Sequence, residues 1–154
     1  MHLFEENIKN LGLNIPELPK ALANYVPYKI VGKTMYISGQ APVQNGELIY
    51  KGKVGSDVTI EDGIEAARLC VTNIIAAVKT GLEGDWDKLD SFVKLTGFVN
   101  CQDDFTDQPK IINGASDMLV EIFGDQGRHA RVAVGSNALP LGISVEIDAI
   151  VQLK

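Results

Sequence analysis

Apolar residues recur at the spacing of an α-helix in three segments of the chain. The most regular of these stripes contains Ile64, Val71 and Val78. It follows a capping hydroxyl at Thr59 and stops before Gly81, a residue suited to a left-handed helix end. The three predicted helices run from Phe4 to Leu11, closed by Gly12, from Thr59 to Gly81, and from the capping residue Asp107 to Gly124.

β-branched and aromatic residues dominate the segments between these helices. The segments Tyr28–Val31 and Thr34–Ser38 flank a two-residue spacer of hairpin length, and Gly39 then breaks the pattern. The segment Ser91–Val99 is apolar at most positions, which predicts a strand covered on both faces and placed parallel beside the hairpin. The other predicted strands are a short one at Leu48–Tyr50 and two near the C-terminus, Ala130–Val134 and Ile143–Leu153.

The order of these elements fits an α+β domain. Strands and helices are interspersed in a way that predicts one mixed β-sheet with the two long helices on one face. The 154 residues match the usual size of one domain, so we expect a single domain over residues 1–154. Residues 1–24 precede the hairpin as an N-terminal helix and a proline-containing connector.

Charge and motif content exclude several classes of protein. Fourteen Lys and Arg residues against 20 Asp and Glu residues give a net charge of −6, which argues against a nucleic-acid partner. The sequence has neither a signal-peptide pattern nor an apolar run that could span a bilayer, so we expect a cytoplasmic protein without a membrane partner. Cys70 and Cys101 lack the spacing of a metal or redox motif and are predicted to be reduced thiols in the core.

The nucleotide-binding, zinc-protease and serine-hydrolase motifs GxGxxG, HExxH and GxSxG do not occur in the sequence. The sequence therefore predicts neither a cofactor nor a metal. Ionisable residues instead gather near the C-terminus. Glu146 and Asp148 alternate on one predicted strand and so share a face, while Arg131 stands on the strand before it. By residue type, Arg131 fits a structural salt bridge as well as an anion site, and His129 fits a solvated pair with Arg128.

Four segments in a fixed order carry a recognisable family pattern. Together they resemble the RidA (YjgF) family of reactive-imine deaminases over nearly all of the chain after about Tyr25. The resemblance implies a chorismate-mutase-like fold and a homotrimer with three clefts between neighbouring subunits. It also implies cofactor-independent hydrolysis of small 2-imino acids to 2-oxo acids and ammonia. The segments are Tyr36–Pro42, Ala66–Arg68 with Asn73 and Ile74, Asn113, and Ala130-Arg131 followed by Leu139-Pro140 and Val145–Ala149.

The resemblance also implies the roles of single residues. Arg131 matches the substrate-binding arginine of the family, and a guanidinium suits this role because it binds a carboxylate through two parallel hydrogen bonds. Glu146 matches the acidic residue that handles the water or the imine proton. The positions that match the lining of the family's substrate pocket are Tyr25, Ser38, Gly39 and Asn113.

The chain departs from the family pattern near these positions. Ala133 stands where the family has a cysteine, His129 replaces a common proline, and the N-terminus is longer by about one helix. These departures bear on the shape of the pocket and hence on the substrate. Two other functions also stay open. One is a trimer that binds a small carboxylate metabolite without turnover. The other is an endoribonuclease, against which the negative net charge and the 6% aromatic content argue.

Overall fold

One face of a five-stranded β-sheet carries two long helices in the computed structural model of the protein, which describes residues 1–18 and 23–154. The predicted α+β class, with a mixed sheet and two long helices on one face, is confirmed. In chain order the elements are α1 (Leu3–Asn10), β1 (Tyr28–Val31), β2 (Thr34–Gln40), β3 (Val43–Gln44), β4 (Glu47–Leu48), α2 (Ile60–Gly81), β5 (Leu89–Asn100), α3 (Gln108–Phe123), β6 (Ala130–Ser136) and β7 (Val145–Leu153).

The order of strands across the sheet is β1-β2-β7-β5-β6. Neighbouring strands are antiparallel except for β5 and β6, which are parallel. The prediction that the strand at Ser91–Val99 lies parallel beside the hairpin is therefore wrong. The C-terminal strand β7 lies between β2 and β5 and pairs antiparallel with both, which separates β5 from the hairpin.

The sheet is covered on one face only, and this corrects the prediction for β5. Leu95 and Val99 are buried against the helices, whereas Val93 and Lys94 are exposed in the single chain. We call the side of the sheet away from α2 and α3 the open face. The residues of the open face pair with one another across neighbouring strands, so their side chains point to the same side of the sheet. They include Tyr36, Lys94, Thr96, Phe98, Val132, Val134, Glu146, Asp148 and Ile150.

Several predicted helix ends are confirmed. The Thr59 hydroxyl accepts a hydrogen bond from the backbone N–H of Asp62 at 3.1 Å, which caps α2. Gly12 and Gly124 follow the ends of α1 and α3, and their φ angles of 68° and 59° are left-handed values that glycine adopts readily. Asp107 is the N-cap residue of α3, as predicted, but its side chain makes no capping hydrogen bond. Its backbone angles of −93° and 28° are not the extended values that such a cap requires.

Gly81 has a different role from the predicted one. It lies inside α2, and the left-handed residues come later, at Glu83 and Gly84. A Cβ at position 81 would lie 2.5 Å from the Cε of Met35 on β2. Gly81 therefore lies at a close approach of the helix to Met35 and Tyr28 and is not the left-handed helix stop.

Two smaller predictions need correction in the region after the hairpin. β2 continues to Gln40 instead of breaking at Gly39, because a shift of register between Ile37 and Gln40 absorbs the irregularity as a bulge. The short strand predicted at Leu48–Tyr50 begins and ends earlier, and it pairs with β3 as the two-residue strand β4. Both short strands lie outside the main sheet.

The predicted N-terminal helix is confirmed as α1. Phe4 is buried and stacks edge-on against Phe123 at a ring-centroid distance of 4.9 Å. The Glu5 carboxylate accepts a hydrogen bond from Trp86 Nε1 at 2.8 Å and pairs with Lys79 at 2.7 Å. These contacts join α1 to the body of the domain. Cys70 and Cys101 are buried free thiols, as predicted.

Candidate functional site

The bulge in β2 fixes the segment that carries Tyr25. The Ser38 hydroxyl donates a hydrogen bond to the carbonyl of Val26 at 2.6 Å, and the Ser38 backbone N–H donates to the carbonyl of Pro27 at 2.9 Å. Tyr25 itself is 53% exposed, so its ring is available to a ligand or a partner surface. These two hydrogen bonds therefore tie the segment that follows Tyr25 to β2.

Gly39 makes room for the carboxylate of Glu146. A Cβ at position 39 would lie 2.6 Å from Glu146 Oε1, a separation that real side chains do not show. Glu146 is half-buried, and this burial, together with the charge of Asp148, raises the pKa of Glu146. A carboxyl group whose pKa is raised is suited to proton exchange. Gly39 contacts Glu146, Ser38 precedes Gly39, and the hydrogen bonds of Ser38 hold the segment next to Tyr25, so we call these four residues the Glu146 cluster.

Arg131 lies on the other face of the sheet, beside α3. Its Nη1 donates to Asn113 Oδ1 at 2.8 Å and to Ser116 Oγ at 3.1 Å. Asn113 and Ser116 are three residues apart on α3, so both side chains project from the same face of the helix. In the described part of the chain, no carboxylate forms an ion pair with Arg131, so the salt-bridge alternative gains no support.

His129 does not form the solvated pair with Arg128 that we expected. Arg128 pairs with Asp125 at 3.1 Å instead. His129 is half-buried, with Nδ1 at 2.7 Å from the Gly127 carbonyl and Nε2 at 2.8 Å from Ser116 Oγ. Burial lowers the pKa of His129, and the nearby positive charge of Arg131 lowers it further, against the opposing effect of the Gly127 carbonyl. We call Asn113, Ser116, His129 and Arg131 the Arg131 cluster.

A surface cleft of about 340 Å³ borders the Arg131 cluster. It is lined by Ser116, Asp117, Val120, Arg128, His129 and Arg131. A cleft of about 450 Å³ lies elsewhere, between the N-terminal extension and α2, and contains none of the predicted site residues. Among the residues that the structure describes, no group of three His, Cys, Asp or Glu side chains is placed to hold a metal ion.

The two clusters do not meet within one chain. In the sheet register Glu146 pairs with Phe98 and Arg131 pairs with Leu95, so the two side chains point to opposite faces. Strand β5 also lies between their strands. A single chain therefore presents the predicted site residues as two separate groups.

Residues 5–151 match the family described as "YjgF/chorismate mutase-like, putative endoribonuclease". The chain belongs to the YjgF (RidA) family. Its similarity to a curated relative, protein TCP17 of Trypanosoma cruzi, is 39% identity over 149 residues, which are 96% of this chain and 92% of the relative.

Two solved structures are similar to this chain over most of its length. The crystal structure of Atu1372 from Agrobacterium tumefaciens is 44% identical with a TM-score of 0.93, over 99% of this chain and 93% of that one. The structure of E. coli TdcF with bound serine is 27% identical with a TM-score of 0.65, over 88% of this chain and 93% of that one. The first similarity therefore includes the N-terminal extension, because it spans almost the entire chain.

Sequence reasoning did not single out Ser116. A serine inside a helix is an ordinary surface residue, and its only signal was the three-residue spacing from Asn113.

No helix in the described ranges, 1–18 and 23–154, has the length and hydropathy needed to cross a membrane.

Proposed function

We propose that the protein hydrolyses small 2-imino acids to 2-oxo acids and ammonia, without a cofactor, in a homotrimer whose active sites lie between subunits. The observation that carries this proposal is the state of Arg131. Its guanidinium is held by neutral hydrogen-bond acceptors and has no ion-pair partner in the described residues, so its charge is available to the carboxylate of a ligand.

The separation of the two clusters supports a site between subunits. Arg131 can act together with Glu146 only if the Arg131 cluster of one subunit meets the Glu146 cluster of its neighbour. The open face supports such an assembly, since Tyr36 is 48% exposed and Val132 and Val134 are each 39% exposed in the single chain. Analytical ultracentrifugation tests the assembly, and a stable 16.7 kDa monomer at micromolar concentration would refute both trimer and intersubunit site.

The proposed reaction needs one residue to hold the substrate and one to move protons. Arg131 binds the carboxylate and so places the imine carbon beside Glu146. The oxygen of a water molecule attacks this carbon while Glu146 takes a proton from the water and transfers it to the imine nitrogen. In the resulting carbinolamine the C–N bond breaks, the hydroxyl proton passes to the departing nitrogen, and ammonia leaves a 2-oxo acid.

Turnover of an imine generated in situ from an amino acid tests this mechanism. Glu146→Gln keeps the size of the side chain but cannot exchange protons, so we expect turnover to fall by about 10²-fold with little change in binding of the 2-oxo acid. Arg131→Ala should abolish binding, and Arg131→Lys should restore it only in part because an ammonium lacks the planar fork. Wild-type turnover that survives in Glu146→Gln would contradict the assigned role of this carboxylate.

A trimer that binds a carboxylate metabolite without turnover is the second candidate. The relative TdcF, which is seen with bound serine, favours a small carboxylate-bearing ligand for either function. The binding protein would retain 2-oxo acid affinity, but the wild type would accelerate imine loss no more than a denatured control. The endoribonuclease activity in the family description is tested with the same preparations on single-stranded RNA. We expect no cleavage, because the net charge of −6 repels phosphates.

A further inference from the structure

A chain of four polar groups leads from the backbone to the Arg131 guanidinium. The Gly127 carbonyl lies 2.7 Å from His129 Nδ1, and because a carbonyl can only accept, Nδ1 carries the hydrogen. In the neutral ring Nε2 is then an acceptor, and it lies 2.8 Å from Ser116 Oγ. The serine hydroxyl therefore donates to His129 and turns its lone pairs toward Arg131 Nη1, 3.1 Å away.

These contacts decide which edge of the guanidinium is available. Both hydrogens of Nη1 are used, one by Asn113 Oδ1 at 2.8 Å and one by Ser116 Oγ. Nη2 makes one long contact of 3.5 Å with the Pro109 carbonyl, and Nε has no hydrogen-bond acceptor among the described residues. The edge formed by Nε and Nη2 is one of the two edges through which an arginine binds a carboxylate with two parallel hydrogen bonds.

We propose that Ser116 and His129 are positioning residues that hold the Nε–Nη2 edge of Arg131 toward the carboxylate of the substrate. This inference rests on the proposed function and extends it to two residues outside the predicted site. Without Ser116 the guanidinium would be held by one short hydrogen bond to Asn113 and by the long contact with the Pro109 carbonyl. A second acceptor on the same nitrogen fixes the plane of the group, and His129 fixes the hydroxyl that supplies this acceptor.

The hydrogen-bonded chain from Gly127 through His129 and Ser116 to Arg131, which we call the relay, requires a neutral His129. Protonated imidazole carries a hydrogen on Nε2, so it can no longer accept from Ser116. It becomes a second, positively charged donor to the same Oγ, which weakens the hydrogen bond from Arg131 to Ser116. The charged groups that share the cleft with the ring are Arg131 and Arg128, which oppose its protonation, and Asp117, which favours it. The contribution of Ser116 should therefore be present at neutral pH and decline as His129 becomes protonated.

Pyruvate, a small 2-oxo acid, is the probe for the first test. Its Kd is measured by titration calorimetry for the wild type, Ser116→Ala, Ser116→Thr and the control Ser56→Ala, which alters an exposed serine in the turn before α2. At pH 7.5 we expect Ser116→Ala to raise Kd by about 5-fold or more, as for the loss of one hydrogen bond to a charged group. Ser116→Thr keeps the hydroxyl and should stay within about 2-fold of the wild type, as should Ser56→Ala.

The pH dependence separates positioning from packing. The ratio of the Ser116→Ala Kd to the wild-type Kd should fall toward 1 as pH decreases through the pKa of His129, which burial places below its usual range and which a nitrogen-15 titration of the ring locates. The direct charge effect of His129 on the anion is common to both proteins and cancels in this ratio. The inference is overturned if the ratio is 1 at pH 7.5, or if it does not change while His129 becomes protonated. Wild-type binding of pyruvate in either case leaves the proposed function intact.

A nitrogen-15 spectrum of the ligand-free protein provides an independent second test. His129 Nε2 should resonate as an unprotonated ring nitrogen at pH 7.5, and the spectrum should show the Nδ1–H tautomer. The opposite tautomer overturns the relay whatever the ligand data show. If the wild type fails to bind pyruvate, the proposed function is overturned. The claim that the Nε–Nη2 edge of Arg131 receives the substrate carboxylate is then overturned as well.

Discussion

Gly39→Ala is the substitution that tests the placement of Glu146 most directly. A Cβ at position 39 would lie 2.6 Å from Glu146 Oε1, 3.1 Å from Cδ and 3.3 Å from Cγ. Comfortable contact needs about 3.5 Å or more, so the carboxylate must move by on the order of 1 Å. Gly39 is not among the residues with a left-handed backbone, which means that alanine can adopt its conformation.

The expected effects on stability and on turnover differ widely. The atom nearest to the new methyl group is the end of a flexible side chain, which can move aside, and alanine also reduces the entropy of the unfolded chain. The free energy of unfolding should therefore change by no more than about 1 kcal/mol. Turnover is far more sensitive, because a displacement of about 1 Å in a reacting group can lower a rate by about 10²-fold.

The assay compares kcat for the imine with the melting temperature of the same preparations. Gly135→Ala on β6 is the control for a crowded glycine outside the Glu146 cluster, since its Cβ would lie 2.9 Å from Gln108 Nε2 and 3.0 Å from Cys101 Sγ. The double variant Gly39→Ala/Glu146→Gln should be no slower than Glu146→Gln, because both changes remove the same function. A folded, trimeric Gly39→Ala with wild-type kcat would refute the reasoning.

Three further predictions concern stability. Burial raises the pKa of Glu146, so the stability that this group contributes is present below its unfolded-state pKa and is lost as pH rises through its folded-state pKa. Glu146→Gln should therefore raise Tm at pH 7.5 and leave Tm unchanged near pH 4. The hydrogen bond from Lys79 lowers the pKa of Glu5, so its contribution is lost as pH falls, and Glu5→Gln should lower Tm at pH 7 but not near pH 3. Gly97→Ala would place a Cβ 2.6 Å from the buried Ile112 Cδ1, and urea unfolding should show a loss of about 1–3 kcal/mol, with equal stability counting against the tight packing of α3 on β5.

The helices can be predicted from sequence because their signals are local. The Thr59 cap and the apolar stripe after it are both contained in one segment, and neither depends on which strands lie beneath. Strand pairing depends on the whole chain instead. The apolar segment of β5 is equally compatible with a place beside the hairpin, whereas in the structure β7 lies between them and pairs with both β2 and β5.

The site is predictable in its residues but not in its geometry. Glu146 and Asp148 share a face because they alternate on one strand, which sequence shows directly. The face of the sheet on which Arg131 lies depends on which alternate residues of β6 point toward the helices. Here the small side chain of Ala133 faces the helices, while the larger Val132 and Val134 face away, opposite to the rule that bulky apolar residues enter the core.

This inversion in β6 has a physical cause and a consequence for the site. Helix α3 packs so closely on β5 that an added Cβ at Gly97 would collide with Ile112, and the neighbouring β6 position in register with Gly97 holds only Ala133. The bulky valines must then occupy the open face, where they favour a second protein layer that the proposed trimer would supply. Because side chains alternate along β6, Arg131 shares the face of Ala133 and points toward α3, where Asn113 and Ser116 hold it. Close helix packing on one side of the sheet thus accounts both for the apolar open face and for the fixed guanidinium on the other side.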